Sequence, residues 1–533
     1  MGNLILGRES KNRNCGGDNA MEAIRKPVPV LGRVLPEDRY NAELVANVHP
    51  LEWVNPEPAP RYNLVVIGAG TAGLVTAAGA AGLSARVALV ERHLLGGDCL
   101  NVGCVPSKCL IRSSRVAYDI RDAARYGVIS RDGFEADFPA VMERMRRLRA
   151  HISHHDSVQR FAGMGVDVFL GEARFSGPDS VVVDGKTLRF AKAVIATGAR
   201  AFVPPVEGLE EAGFLTNETV FSLTELPKRV LVFGAGPLGC ELAQAFRRFG
   251  SEVTIVERGP QFLAKEDPDA AEILHDAFRR DGIDVRLSTR VVCASRSEKE
   301  KQVRLRGFGA ESEEIADEIL IGAGRVPNVG GLDLEKAGVG YDEQNGVRVN
   351  DFLQTTNPRI YAAGDVCLQQ KFTHTADAAA RIVIQNALFR GRKRASALTV
   401  PWCTYTDPEI AHVGMYERDA LSQGIPVDTF VRRMIEVDRA VADGEEEGFV
   451  KVHVRKGTDT ILGATIVARH AGEMINEITL AMVGKIGLGA LSNVIHSYPT
   501  QAEAVKQAAD AYNRTRLTPF VKKILGWWLA WTR

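Results

Sequence analysis

The chain has 533 residues, 45% of them apolar, and 66 basic residues balance 66 acidic ones. That length suits three or four domains of roughly 100–200 residues each. The even charge excludes a broad electrostatic bias toward nucleic acid, leaving only local patches. Eight cysteines in so long a chain make no disulfide framework, and no stretch is long and apolar enough to span a bilayer.

The leading segment, 1–60, is polar and Pro-rich, and reads as a flexible lead followed by an arm packed on the next domain. Met1-Gly2 invites a myristoylation reading, but Leu6 stands where Ser or Thr is expected. The segment lacks the apolar run of a signal peptide, so a cytoplasmic protein is expected. Cys15, in "NRNCGG", reads as a free surface thiol.

Residues 62–92 read "YNLVVIGAGTAGLVTAAGAAGLSARVALVER". An apolar strand runs into Gly68, Gly70 and Gly73, with Thr71 and Ala72 opening an Ala-rich helix. A second strand closes at Glu91. Gly68 permits a tight turn, Gly70 lets backbone approach a pyrophosphate, and Gly73 allows close helix–strand packing. Glu91 lies where a carboxylate takes ribose hydroxyls. The pattern recurs at 229–259, "RVLVFGAGPLGCELAQAFRRFGSEVTIVERG", with Gly234, Gly236, Gly239 and Glu257. Both acids follow their first glycine by 23 positions. The chain therefore carries two dinucleotide folds, which suggests electron traffic between two cofactors.

Between them stands "GGDCLNVGCVPSKCL", 96–110, where Cys99 and Cys104 are five positions apart. Zinc ligands, a structural disulfide and a redox pair are the alternatives. Zinc prefers short CxxC spacings and four ligands, and no second pair follows. A static disulfide is poorly motivated in a cytosolic protein. Further on, "ERMRRLRAHISHHD", 143–156, reads as a charged helix over the first nucleotide fold rather than a metal site or a nucleic-acid motif.

The cysteine phrase resembles the GGTCxNxGCxPSK form of the flavoprotein pyridine nucleotide–disulfide oxidoreductases, and the resemblance extends over about 62–511. It implies an α/β chain with two Rossmann-like domains, for FAD and NAD(P), followed by an α+β dimerisation domain. The implied divisions are 1–60, 61–200 and 330–400 (both flavin), 201–329 (nicotinamide), 401–515 (dimerisation) and 516–533. A redox pair then fits best. Cys104 becomes the flavin-facing charge-transfer thiolate and Cys99 the outward interchange thiol, and a helix starting near Cys104 favours its thiolate. Gly97 and Asp98 open this segment beside the cofactor. Lys108 would sit near the flavin N5 and pair with Glu241 in "GPLGCELAQ". Thr197 and Gly198 ("AVIATGAR") and Gly324 ("LIGAGRVPNVGGLDL") resemble the crossings between the nucleotide folds. In "TTNPRIYAAGDV", Gly364 would make room for FAD and Asp365 would accept from its ribityl chain. Cys109 is read as a small buried helix residue.

Glu257 favours a free ribose 2′-OH, hence NADH, whereas Arg258 directly after it keeps NADPH in play. The dimerisation domain implies a homodimer. In dithiol-handling relatives its end reads His-Pro-Thr-x-x-Glu, a histidine base oriented by the glutamate. Here 496–503 reads "HSYPTQAE". Tyr498 stands before the proline, His496 is two positions early, and Glu503 keeps the glutamate's place. Tyrosine is a poor base near neutral pH. Glutathione reductase and dihydrolipoamide dehydrogenase chemistry is therefore disfavoured, and resemblance turns toward mercuric reductase, whose soft metal suits thiolates. Against that, no cysteine follows Cys403 to match that enzyme's C-terminal pair. A soft or thiol-reactive acceptor, Hg(II) included, is expected, with a disulfide or quinone reductase and a non-enzymatic flavin-binding redox sensor as alternatives.

Finally, 516–533 predicts a helix with an apolar stripe of Phe520, Ile524, Trp527, Trp528 and Trp531 beside Lys522, Lys523 and Arg533. Packing on its own dimer is the plainer reading, and peripheral membrane contact the other.

Overall fold

The computed structural model describes residues 34–129, 135–298 and 300–533; Met1-Gly2 and Cys15 lie outside the described residues. The first sheet is built on parallel strands Tyr62–Ile67, Val87–Glu91 and Val166–Leu170, with Lys186–Ile195 on the other side of Tyr62–Ile67. Ile360–Ala362 returns from far along the chain to pair with Lys186–Ile195. The central stretches, Leu64–Ile67, Val87–Val90 and Ala193–Ile195, are runs of Val, Ile, Leu and Ala buried on both faces, as a parallel sheet covered by helices requires. Helix Thr71–Gly82 packs on helix Thr373–Phe389, so closely that a Cβ at Gly79 would lie 2.6 Å from Ile384 Cδ1.

The second sheet has four parallel strands in the order Asp284–Arg286, Glu252–Val256, Arg229–Phe233 and Glu318–Ile321. Beside it lies an antiparallel meander, Thr289–Ser297, Glu300–Gly307 and Ala310–Ala316. The chain crosses between the two nucleotide folds twice, and the crossing strands Ala199–Ala201 and Arg325–Pro327 pair antiparallel. The third sheet is antiparallel, in the order Pro401–Thr404, Glu409–Gly414, Ile461–Ala468, Phe449–Arg455 and Val427–Arg433. Helices Ala471–Val483 and Glu503–Thr515 cover it through Ile475, Ile478, Val505 and Ala508.

The arm before the first sheet contains a helix, Arg39–Val48, that apolar periodicity did not reveal. Asp38 caps it by accepting from Asn41 N at 2.8 Å, and Leu44 and Val48 enter the first core. Trp53 Nε1 then donates to Val168 O at 3.0 Å along the outer strand. The arginine- and histidine-rich segment falls on helix Phe138–Ser153 and the turn after it. Phe138 packs on Phe246 and Phe249 of the second nucleotide fold, so this helix touches both folds. Among the described residues, no helix is long and apolar enough to cross a membrane.

Candidate active site

The two glycine-rich turns are built alike. Gly68 and Gly234 both sit at φ +99°, where a Cβ would strike the facing strand end, Ala196 O at 2.4 Å and Gly322 O at 2.8 Å. The next helices, Thr71–Gly82 and Pro237–Phe249, start at Gly70 and Gly236 with no side chain capping their first N–H groups. Such an open N-terminus is an anion site. Gly73 and Gly239 pack against the backbone of the same turns. Glu91 accepts from Ala69 N at 2.7 Å and His93 N at 2.8 Å. Glu257 accepts from Ala235 N at 2.9 Å and Gly259 N at 2.6 Å. Each carboxylate is thus pinned beside its turn.

The redox segment docks on the first turn. Gly96 N donates to Ala69 O at 2.8 Å, and a Cβ at Gly97 would lie 2.7 Å from Gly70 Cα. Cys99 rides a short helix, Gly97–Asn101, and Cys104 begins the long helix Cys104–Asp122. The break at Val102–Gly103 lets sulfurs five positions apart meet, which one straight helix would prevent. Both are free thiols, and they hydrogen-bond to each other. The bond from Cys99 is the main cause that lowers the Cys104 pKa to about 6, with Thr373 and Lys108 adding to it against burial. Cys99 is pushed up by that same bond and by burial. One thiolate and one thiol therefore share the pair near neutral pH. Thr373 Oγ1 lies 3.3 Å from Cys104 Sγ. Nothing local in the sequence singled it out. Cys109 packs against an apolar core, and burial raises its thiol pKa.

Lys108 Nζ reaches Glu241 Oε2 at 2.8 Å, and Tyr405 N donates to the other oxygen at 2.9 Å. Burial opposes the Lys108 charge, but Glu241 and Cys104 outweigh it and raise its pKa. The Lys108 ammonium also lies 4.4 Å from the Tyr405 ring centre. Asp98, one residue before Cys99, pairs with Arg325. Arg325 Nε also stands 3.5 Å from Asp365 Oδ2. Arg325, from the "GAGRVP" stretch, thus ties together two carboxylates of separate segments, and no local pattern marks it as part of the site. Burial raises the Asp365 pKa, and Arg325 counteracts it. Gly364 lies between the starts of two helices, its ideal Cβ 3.2 Å from Ala72 and 3.4 Å from Ala376. Thr197 donates its hydroxyl to Asn328 O at 2.7 Å, Gly198 O accepts from Asn328 N, and Gly324 O accepts from Phe202 N. These three hold the crossing strands together.

At the far end the two candidate groups are held quite differently. The carboxylate facing His496 is Glu477, on helix Ala471–Val483, with Nε2–O distances of 3.1 and 3.0 Å. Glu503 instead occupies the first turn of helix Glu503–Thr515. Standing two positions early folds His496 back on its own domain, with only 8% of its side chain exposed. Tyr498 is the side chain held out, at 70% exposure, and its hydroxyl donates to Asp438 Oδ2 at 3.0 Å. That bond raises its pKa.

Two dinucleotide turns flanking a thiol pair, with a lysine–glutamate pair beside it, define a flavoprotein disulfide oxidoreductase. The chain belongs to the pyridine nucleotide-disulphide oxidoreductase family, whose model matches residues 62–381, and its dimerisation domain matches 400–509. A mercuric reductase of Lysinibacillus sphaericus is 32% identical over 482 residues, 90% of this chain and 88% of the relative. A dihydrolipoyl dehydrogenase of Thermus scotoductus is 33% identical over 471 residues, 85% of this chain and 98% of the relative. The HOCl-induced flavoprotein disulfide reductase RclA of Escherichia coli superposes with TM-score 0.76 at 29% identity, covering 84% of this chain and 99% of that one. The family is FAD-dependent with NAD(P)H as electron donor. The residues here fit two dinucleotides: at Gly70 and Gly236 the nearest atoms to an ideal Cβ are 3.7 and 3.6 Å away, leaving the uncapped N–H groups approachable.

Proposed function

We propose that this chain is a homodimeric NAD(P)H-dependent reductase that sends electrons through Cys99–Cys104 to a soft or thiol-reactive acceptor, Hg(II) suiting it best. FAD, when bound, supplies the relay that turns a hydride from NAD(P)H into an electron pair for the disulfide. The chain's residues manage charge and protons around it. Lys108, held by Glu241, puts a positive charge beside the flavin-facing sulfur. Cys104 takes the thiolate, and Cys99 keeps the proton until an acceptor arrives.

The observation that carries the reading is the exposed phenol of Tyr498 with His496 turned inward. Opening a substrate disulfide needs a group that takes and returns a proton near neutral pH. A phenol whose pKa is raised keeps its proton. A thiophilic metal ion needs no such base, because binding itself displaces the Cys99 proton. The dimerisation domain supports Tyr498 acting from the partner protomer. Glu257 supports NADH as the better donor, since its carboxylate would repel a 2′-phosphate.

The second reading, an NAD(P)H-dependent disulfide reductase, is favoured by the dihydrolipoyl dehydrogenase relatives. One panel separates the readings: Hg(II) in excess thiol, glutathione disulfide, lipoamide and a small quinone. Lipoamide or glutathione disulfide turnover that is fast and lost in His496→Ala would favour the second. Quinone turnover indifferent to Cys99→Ser would place the chemistry at the flavin alone.

A further inference from the structure

Helix Pro519–Trp531 has no buried residue, yet it is well formed. Thr518 caps it by accepting from Val521 N at 3.3 Å, and Pro519 occupies its first turn. It holds three of the chain's five tryptophans, with Trp527 79%, Trp528 59% and Trp531 78% exposed. At about 100° per residue, the apolar side chains run from Trp527 through Trp528 to Leu529 over an arc of about 200°. Lys522 and Lys523 share the remaining face with Gly526 and Ala530. After Asp510 the sequence has no acidic residue, while Arg514, Arg516, Lys522, Lys523 and Arg533 are basic.

We infer that this helix docks the enzyme on an anionic lipid bilayer, lying in the plane of the interface. Its width argues against a second copy as the occupant. A helix packed on protein buries a stripe of roughly 100°, and a partner helix would leave the other half of this arc in water. A bilayer covers the whole arc at once. Its length argues against crossing: 13 residues reach about 20 Å, short of the ~30 Å hydrocarbon core. Indole rings suit the interfacial level, where one edge is apolar and the N–H is wet. The lysines extend their stems along the apolar surface and leave their ammonium groups among the headgroups. The run of five cations without an acid gives the charge match to phosphate-bearing lipids.

The test uses the full-length, FAD-loaded protein and vesicles of phosphatidylcholine alone or with phosphatidylglycerol. Co-sedimentation should be at least tenfold stronger with the anionic vesicles at low salt and should fall as salt is raised. Tryptophan emission should shift to the blue on binding. Trp527→Ser/Trp528→Ser/Trp531→Ser and, separately, Lys522→Glu/Lys523→Glu should each weaken binding about tenfold or more, with flavin reduction by NADH unchanged. Wild-type protein that ignores anionic vesicles at low salt overturns the inference by itself. So does the tryptophan variant if it lowers the dimer mass in light scattering while vesicle binding stays constant, since the helix would then pack on the second copy.

Discussion

Replacing Thr373 by valine removes the hydroxyl that lies 3.3 Å from Cys104 Sγ while keeping the side-chain shape. When Cys104 is a thiolate, that hydroxyl donates to it. A hydrogen bond to a charged group contributes about 1.5–3 kcal/mol, which is about 1–2 pKa units at 1.36 kcal/mol per unit. Sulfur is a large, soft acceptor that spreads its charge, which places the effect at the lower end. Cys104 has its pKa lowered to about 6, so its thiolate prevails above that pH and is lost as the pH falls through it. At pH 7 the wild type therefore holds roughly ten thiolates per thiol, and Thr373→Val, with a pKa near 7, roughly one. The assay is a pH titration of the long-wavelength charge-transfer absorbance in the two-electron-reduced holoenzyme. The valine variant should show about half the band at pH 7, recover it by about pH 9, and leave Thr373→Ser close to wild type. A valine variant whose midpoint coincides with wild type would refute the assigned hydrogen bond.

Cys104→Ser should abolish that band and Cys99→Ser should leave or strengthen it; the opposite result would mean the sulfurs' roles are exchanged. In Glu257→Ala, kcat/KM for NADH should fall and that for NADPH should hold or rise, and a wild-type preference for NADPH unaffected by the change defeats the argument from this carboxylate. Lys108→Met strands Glu241, only 5% exposed, without its cation. Because Lys108 is itself 37% exposed, denaturant melts should register a loss of only about 1–2 kcal/mol, and stopped-flow reduction by NADH should slow roughly a hundredfold; unchanged values in both would remove Lys108 from the site.

Both nucleotide folds are legible because each is a local unit: strand, glycines, helix, strand and acid lie within one short stretch. Their repetition at one offset makes the pattern specific. Cys99, Cys104 and Lys108 are legible for the same reason. What joins them to the rest is not local. Thr373 reaches Cys104 from a helix 269 positions away and belongs to no motif. Glu477 meets His496 only because helix Ala471–Val483 packs beside that segment, and no motif links the two residues. Arg325 stands inside a recognised phrase, but only the fold brings it to Asp98 and Asp365. Helix Arg39–Val48 is not legible in the sequence because polar residues and prolines surround a stretch that buries only Asn41, Leu44 and Val48.

The most direct test of the account reduces the holoenzyme anaerobically with one equivalent of NADH, adds one equivalent of Hg(II) with excess thiol, and follows reoxidation of the flavin and thiol pair. The account predicts complete reoxidation by the metal, faster than by equal lipoamide or glutathione disulfide, and lost in Cys99→Ser. Reoxidation by lipoamide that outpaces the metal, or metal-driven reoxidation that survives Cys99→Ser, would contradict it.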